Sequence, residues 1–481
     1  MERNRGNVQL IIDTTTKPPY EGACGIINSL IGKSLTDLNF NVTEYQVNRP
    51  PFSSLIPLEQ ARMISGLEGN RKPSIRIFTE RGLDFFQPTS DPKIKNIVFF
   101  HGMAFNPSAF LQNTSINAFC ANSKYLMNSL LALLLYPNDF LEYNFTDRGS
   151  PIVTHLPLVA TGLNFPKGYP NAGAGIDIPD KLLKLITQDR FYLGHALRPN
   201  KIDPFSFAAI LYHLNQIASK RRKGKHFRVV VFEEDFKSIA IATKEMPGNI
   251  DPSEHFIPIP LLKNTELIRL MKKSSFSLCY DLFPEPFGLY PLESVFSNSP
   301  VFTNGAGNLR TLLPTGSGIT VLETSEMYFG PVEKKFNAFK CVAELIFEEV
   351  TTGRAKKSCK SGQLYMKREY SNANFSVRMK ALLKTVENPN LIKKLSLPDL
   401  RFKLAPWVRN REKSTGRIIS DYVHTELSND WNELFDLVLS KRPSDLCKKT
   451  RRKIEEPMSQ LFRRGILTLS TEFGDAVRFN K

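Results

Sequence analysis

Two carboxylates, Glu285 and Glu293, stand with seven residues between them in the stretch Phe276 to Asn304, FSLCYDLFPEPFGLYPLESVFSNSPVFTN. An ionised carboxylate accepts hydrogen bonds from paired hydroxyls. An anion can rest on the free N–H groups and positive dipole end of a helix N-terminus. Two acceptors beside such an anion site suit a ligand with hydroxyls on both sides of a diphosphate. A diphosphate held there would also call for a positive group nearby. Arg198 and Lys201, in RFYLGHALRPNKIDP, are the candidates. His101 follows the apolar run NIVFF, Asn96 to Phe100. Alone, the Glu–Glu spacing is better explained by Glu293 favouring a helix start and Glu285 sitting in a solvated turn.

The elements around these residues give the pattern its meaning. Phe276 to Leu282 reads as a buried strand, with a turn holding Pro284, Pro286 and Gly288 behind it. Pro291 suits the first turn of a helix, and Leu292, Val295 and Phe296 follow at helical spacing. Glu293 then falls in the first helical turn. Ser299-Pro300 stops the helix, and Val301 to Thr303 reads as the next strand. Strand, loop, helix and strand make a unit of a parallel α/β sheet, whose ligands bind in the crevice at the carboxyl ends of the strands. Val8 to Asp13, a helix through Ile26 to Leu35, and Asn41 to Val47 repeat that plan at the N-terminus.

In this context EPFGLYPLE resembles the donor-binding signature of the retaining nucleotide-sugar glycosyltransferases of GT-B fold, the family of sucrose synthases and phosphatidylinositol mannosyltransferases. The resemblance covers about four-fifths of the chain and is strongest between Phe191 and Leu322. It implies an α/β protein with two Rossmann-like domains facing a central cleft. Residues 1–165 would form the acceptor-side domain and 166–395 the nucleotide-sugar domain, with a helical, basic extension over 396–481. It implies that Glu285 contacts the donor sugar and that Phe287, Gly288 and Leu289 line sugar and diphosphate with their backbone. Glu293 would bind the ribose hydroxyls, and His101 would pack near the sugar. A glycine loop approaching the diphosphate would be Gly22 and Gly25, here split as GACG. The turn Asn304 to Asn308 would face the sugar. Where the family places an Arg this chain has His195, so Arg198 and Lys201 inherit the diphosphate. Glu233-Glu234-Asp235 stand where relatives carry glycines.

Composition bounds the rest. At 481 residues the chain has room for two or three domains, and 41% hydrophobic residues is ordinary for a globular protein. Its six cysteines, at 24, 120, 279, 341, 359 and 447, form no CxxC pair, which favours a reducing compartment over a disulfide framework or zinc site. The start reads as no signal peptide, and no apolar run is long enough to span a bilayer. A cytoplasmic protein, peripheral at a membrane, is expected. No Asp-x-Asp occurs, so no metal or other cofactor is expected beyond the nucleotide-sugar co-substrate. The net charge of +17 favours an anionic partner: a membrane surface, an anionic acceptor, or nucleic acid. Residues 401 to 481 carry 17 Lys and Arg against 11 Asp and Glu, with a basic run at 448–453 and an amphipathic helix expected over Tyr422 to Leu439. The expected function is sugar transfer with retention to a lipid or surface glycan. A DNA-modifying transferase, another enzyme on the same fold, and a non-catalytic sugar-nucleotide binder are the alternatives.

Overall fold

The computed structural model describes residues 6–13, 23–47, 73–79, 91–102, 115–134, 152–155, 176–187, 191–221, 225–248, 250–391, 394–395, 401–439, 460–470 and 476–479. In the first part, β1 (Asn7–Asp13), α1 (Ala23–Asp37), β2 (Asn41–Val47), β3 (Ile75–Thr79), β4 (Lys95–Phe100), β5 (Ile116–Ala121), α2 (Lys124–Leu134) and β6 (Ile152–His155) follow one another. β1 to β6 pair in parallel in the order β6-β5-β4-β3-β1-β2. Parallel strands covered on both faces read as continuous apolar runs. Accordingly Ile97, Val98, Phe99 and Phe100 are all buried.

After α3 (Asp180–Thr187), a second sheet is built from β7 (Phe191–Ala196), α4 (Pro204–Lys220), β8 (His226–Phe232), α5 (Glu233–Ala242), the single turn α6 (Pro252–His255), β9 (Phe256–Ile259), α7 (Asn264–Lys273), β10 (Phe276–Cys279), α8 (Leu289–Phe296), β11 (Val301–Thr303) and β12 (Ile319–Val321). Its six strands run in parallel in the order β12-β11-β10-β7-β8-β9. The order reverses at β7, next to β10, and such switch points are where open α/β sheets hold ligands. α9 (Val332–Thr351) packs on α4 through Phe336, Phe339 and Ile346, in one cluster with Phe207 and Ile210. α10 (Arg354–Glu369) and α11 (Asn372–Glu387) follow.

α11 returns to the first part of the chain. Phe375, Met379 and Leu382 share a core cluster with Ile27, Ile31 and Leu35 of α1, and Ser34 Oγ lies 3.2 Å from Ser376 Oγ. The same cluster continues into Phe287, Leu292 and Val295, so one apolar core runs between both sheets.

The C-terminal part differs from the helical extension expected. Its helix α12 covers Asn429–Leu439, and Thr425–Glu426, inside the stretch expected to be helical, is a strand. β13 (Lys394–Leu395), β14 (Arg401–Leu404), β15 (Val408–Glu412), β16 (Arg417–Ser420), β17 (Thr425–Glu426), β18 (Leu467–Ser470) and β19 (Ala476–Phe479) make up most of the rest described there. β15, β16 and β17 form an antiparallel sheet, β14 pairs with β18, and β19 joins the first sheet antiparallel to β6. The polar, short-period runs VRNRE and RIIS pair as strands because Ile418 and Ile419 are buried. The basic run 448–453 lies outside the described residues.

Candidate functional site

α8 begins one residue earlier than the sequence suggests, at Leu289. Its N-cap is Gly288, whose φ of 108° lies in the left-handed region that L side chains avoid. A Cβ there would also meet Leu312 Cδ2 at 2.7 Å. Pro291 becomes the third helical residue, where its missing N–H is still one that no helical carbonyl could have satisfied. Glu293 therefore sits in the second turn, half-buried, and not in the first as expected. Gly288 has no side chain to cap this helix, and a helix that follows a parallel strand begins at the carboxyl edge of the sheet.

Behind β10 the chain places Asp281 and then Glu285. Behind β7 it places Arg198 and Lys201. These four converge. The Arg198 guanidinium bonds both the Asp281 and Glu285 carboxylates, and Lys201 Nζ lies 3.4 Å from Glu285 Oε2. The side chains of Arg198 and Asp281 are buried, Glu285 is 12% exposed, and Lys201 is 49% exposed. Burial opposes the charge of Arg198, but the two carboxylates outweigh it and hold its pKa above the ordinary value. Burial likewise opposes ionisation of Glu285, and Arg198 and Lys201 together overcome it, leaving its pKa below the usual range. For Asp281 burial wins over Arg198 and the pKa is raised. Arg198 is thus committed to two carboxylates, and Lys201 is the better exposed of the two expected cations.

The turn Asn304 to Asn308 supports this cluster. Asn304 Nδ2 donates to the Asp281 carbonyl at 3.0 Å, and Asn308 N donates to the Glu285 carbonyl at 2.8 Å. Gly307, at φ 63°, pairs with Glu285 so closely that a Cβ would overlap the Glu285 backbone. Phe287 turns its ring into the core, edge-on to Tyr370 at 5.6 Å. Its carbonyl accepts from Asn308 Nδ2 at 2.7 Å. Leu289 packs partly buried on the same core.

His101 stands at the end of β4 as expected. Its Nε2 lies 3.0 Å from Asn28 Oδ1, and its carbonyl accepts from Asn122 Nδ2 at 2.6 Å. Burial lowers its pKa to about 3, so the ring is neutral near pH 7. Ser123, next to Asn122, caps α2 by accepting from Leu126 N at 3.1 Å and also donates to the Pro286 carbonyl at 2.5 Å. That second bond joins the first part of the chain to the EPFGLYPLE loop. Gly25 lies in the first turn of α1, and Gly22 lies outside the described residues.

His195 does not join the cluster. Its Nδ1 lies 2.6 Å from the Tyr290 hydroxyl and its Nε2 3.0 Å from Ser299 Oγ, so it ties β7 to α8 beneath the crevice. Burial lowers its pKa to about 3. Between that value and the ordinary 6.5 the unfolded chain binds a proton that the folded chain does not, so stability falls as pH falls through this window. His195→Gln should reduce the slope of unfolding free energy between pH 6 and 4 by about 1.4 kcal/mol per pH unit, measured by urea titration. An unchanged slope would show that His195 is protonated in the fold.

The acidic run after β8 has a structural role. Asp235 Oδ1 accepts from Asn200 N at 3.0 Å and Glu234 from Asn200 Nδ2 at 3.3 Å, holding Asn200 at φ 60°. These bonds fix the loop that carries Arg198 and Lys201. Asp281, Tyr290 and Ser123 are not singled out from sequence as ligands of this site. Asp281 did carry a signal, a charge two residues behind the fully buried strand β10. Among the described residues no group of three or more His, Cys, Asp or Glu could hold a metal.

No family profile matches the chain, and no characterised protein matches it by sequence. Its structure is similar to solved glycosyltransferases. A glycosyltransferase from Rickettsia africae ESF-5 superposes with TM-score 0.54 at 14% identity, covering 80% of this chain and all of the other. Sucrose-phosphate synthase from Thermosynechococcus elongatus gives 0.53 at 11% over 80% of this chain and all of the other. HepE of Anabaena, in complex with UDP and glucose, gives 0.52 at 12% over 79% of this chain and all of the other. With two mainly parallel sheets, each flanked by helices, and α11 crossing back onto α1, this chain has the GT-B fold of two Rossmann-like units.

Proposed function

We propose that this chain is a glycosyltransferase that moves a sugar from a nucleotide-sugar donor to an acceptor with retention of configuration, without a metal. The convergence of Glu285 with Arg198 and Lys201, beside the uncapped α8 N-terminus in a GT-B fold, carries the reading. A diphosphate laid on the α8 N–H groups would be met by the Lys201 ammonium. Glu285 would receive the sugar hydroxyls and Glu293 the ribose hydroxyls. His101 would pack against the sugar as a neutral ring from across the cleft. Transfer would join the acceptor oxygen to the anomeric carbon on the face from which the diphosphate departs. The acceptor proton would pass to the leaving phosphate oxygen, which Lys201 and the helix N-terminus stabilise as charge accumulates. HepE has been solved with UDP-glucose, which supports a diphosphate donor on this fold.

For the acceptor we propose a membrane lipid or surface glycan. The +17 charge supports it, since each Lys or Arg near an anionic bilayer contributes about 1 kcal/mol. Among the described residues no helix is long and apolar enough to cross a membrane. Binding to anionic vesicles and not to duplex DNA is expected at two salt concentrations, and the reverse would favour a nucleic-acid acceptor.

Donor binding is tested by calorimetry with UDP, GDP and ADP. At least one should bind, and Glu293→Ala should weaken it by about 1–3 kcal/mol, the scale of a charged hydrogen bond. Equal affinity in the variant would remove Glu293 from the site.

A further inference from the structure

The solved glycosyltransferases match about four-fifths of this chain over their full length, so a fifth of it is additional to them. Part of the chain's C-terminal region, the β15–β17 sheet, docks on the turn Asn304 to Asn308. Two of its side chains bond the backbone of that turn. Arg409 Nη1 donates to the Asn304 carbonyl at 3.2 Å and pairs with Glu323 at 2.9 Å. Asp421 Oδ1 accepts from Gly307 N at 3.1 Å, while its Oδ2 accepts from the Tyr125 hydroxyl of α2 at 2.8 Å. The Asp421 side chain is 1% exposed and Arg409 6%.

One carboxylate thus holds three parts of the molecule: the C-terminal sheet, the second sheet's turn, and the first unit's α2. The turn it grips carries the site. Asn304 fixes Asp281, and Gly307 with Asn308 fixes Glu285, at the two carboxylates of Arg198. Asp421 does not touch that cluster. It reaches Glu285 through the Gly307 peptide, and it ties this peptide to Tyr125 across the cleft.

We propose that Asp421 is a positioning residue that sets Glu285 for transfer and makes its placement depend on how the two Rossmann-like units sit together. The proposal rests on the reading of Glu285 as a sugar contact. A shift of a catalytic group by a fraction of an ångström suffices to slow chemistry without loosening a ligand held elsewhere.

Asp421→Ala, Asp421→Asn and Tyr125→Phe test it in the full-length protein. Asp421→Ala should lower kcat by about tenfold or more, with donor KM and UDP affinity little changed. Asparagine keeps an oxygen for Gly307 N and an amide for the Tyr125 oxygen, so it should retain most of the rate. Tyr125→Phe should add little on top of Asp421→Ala, because both break one contact. Amide hydrogen exchange gives a readout independent of turnover: Asp421→Ala should speed exchange in 281–288 and 304–308. Exchange that rises only within 405–427 would overturn the proposal. So would an unchanged kcat, a parallel fall of kcat and UDP affinity, or asparagine as damaging as alanine. If the wild-type protein transfers no sugar, the functional reading fails, while the exchange result still decides whether Asp421 positions the Glu285 loop.

Discussion

Glu285→Gln should lower the rate of sugar transfer by about 10²–10³, the scale of losing one aligned polar contact to a reacting centre. The same variant should bind the nucleoside diphosphate as well as the wild type or a few-fold better. The sign follows from Lys201, whose ammonium lies 3.4 Å from Glu285 Oε2 and is half exposed. Neutralising Glu285 releases that ammonium toward an incoming phosphate. Single-turnover rates beside calorimetry with UDP separate the two effects. A fall in both rate and UDP affinity would reassign Glu285 to the nucleotide.

Replacing Arg198 by methionine should act mainly on stability, by about 3–5 kcal/mol in chemical unfolding. The substitution leaves two carboxylates, Asp281 and Glu285, close together with their shared counter-ion gone. Asp281 is fully buried and Glu285 nearly so, so neither can recover its hydration without opening the loop. Burial already raises the Asp281 pKa, and removal of Arg198 should raise it further. The variant's deficit should therefore shrink as pH falls and the carboxyl groups protonate. A deficit below 1 kcal/mol at pH 7, or one that grows on acidification, would show that Arg198 is a surface cation. The sequence alone offered Arg198 as a diphosphate ligand. A buried guanidinium bonded to two carboxylates is first a counter-ion, and of the two cations Lys201 is the more exposed.

Much of the fold is legible in the sequence because parallel strands buried on both faces leave apolar runs. NIVFF and FRVVVF mark β4 and β8 within a residue or two. β3 was missed, since Ile75 to Thr79 is short and carries Arg76, which hides in the sheet by bonding Gln9 at 2.8 Å. The C-terminal strands were missed for a related reason. VRNRE and RIIS carry few apolar residues, and their stability comes from pairing and from the turn they cover, which no local pattern reveals. Glu285 and Glu293 were legible because their spacing is read against a strand, a loop and a helix. Arg198's partner Asp281, the lock of His195 under Tyr290, and the grip of Asp421 on Gly307 join residues far apart in the chain. Only the folded arrangement brings them into contact.

The decisive measurement is turnover with a panel of nucleotide sugars, UDP-glucose, GDP-mannose and ADP-glucose among them. Released nucleoside diphosphate is followed with and without anionic lipid vesicles, and the product anomer is read by proton NMR. At least one donor should yield its nucleoside diphosphate in a reaction that Glu285→Gln suppresses, and the transferred sugar should keep the donor's anomeric configuration. A wild-type protein that binds UDP yet releases nothing from any donor, at the level of Glu285→Gln, would contradict catalysis and leave a sugar-nucleotide binder on a transferase fold.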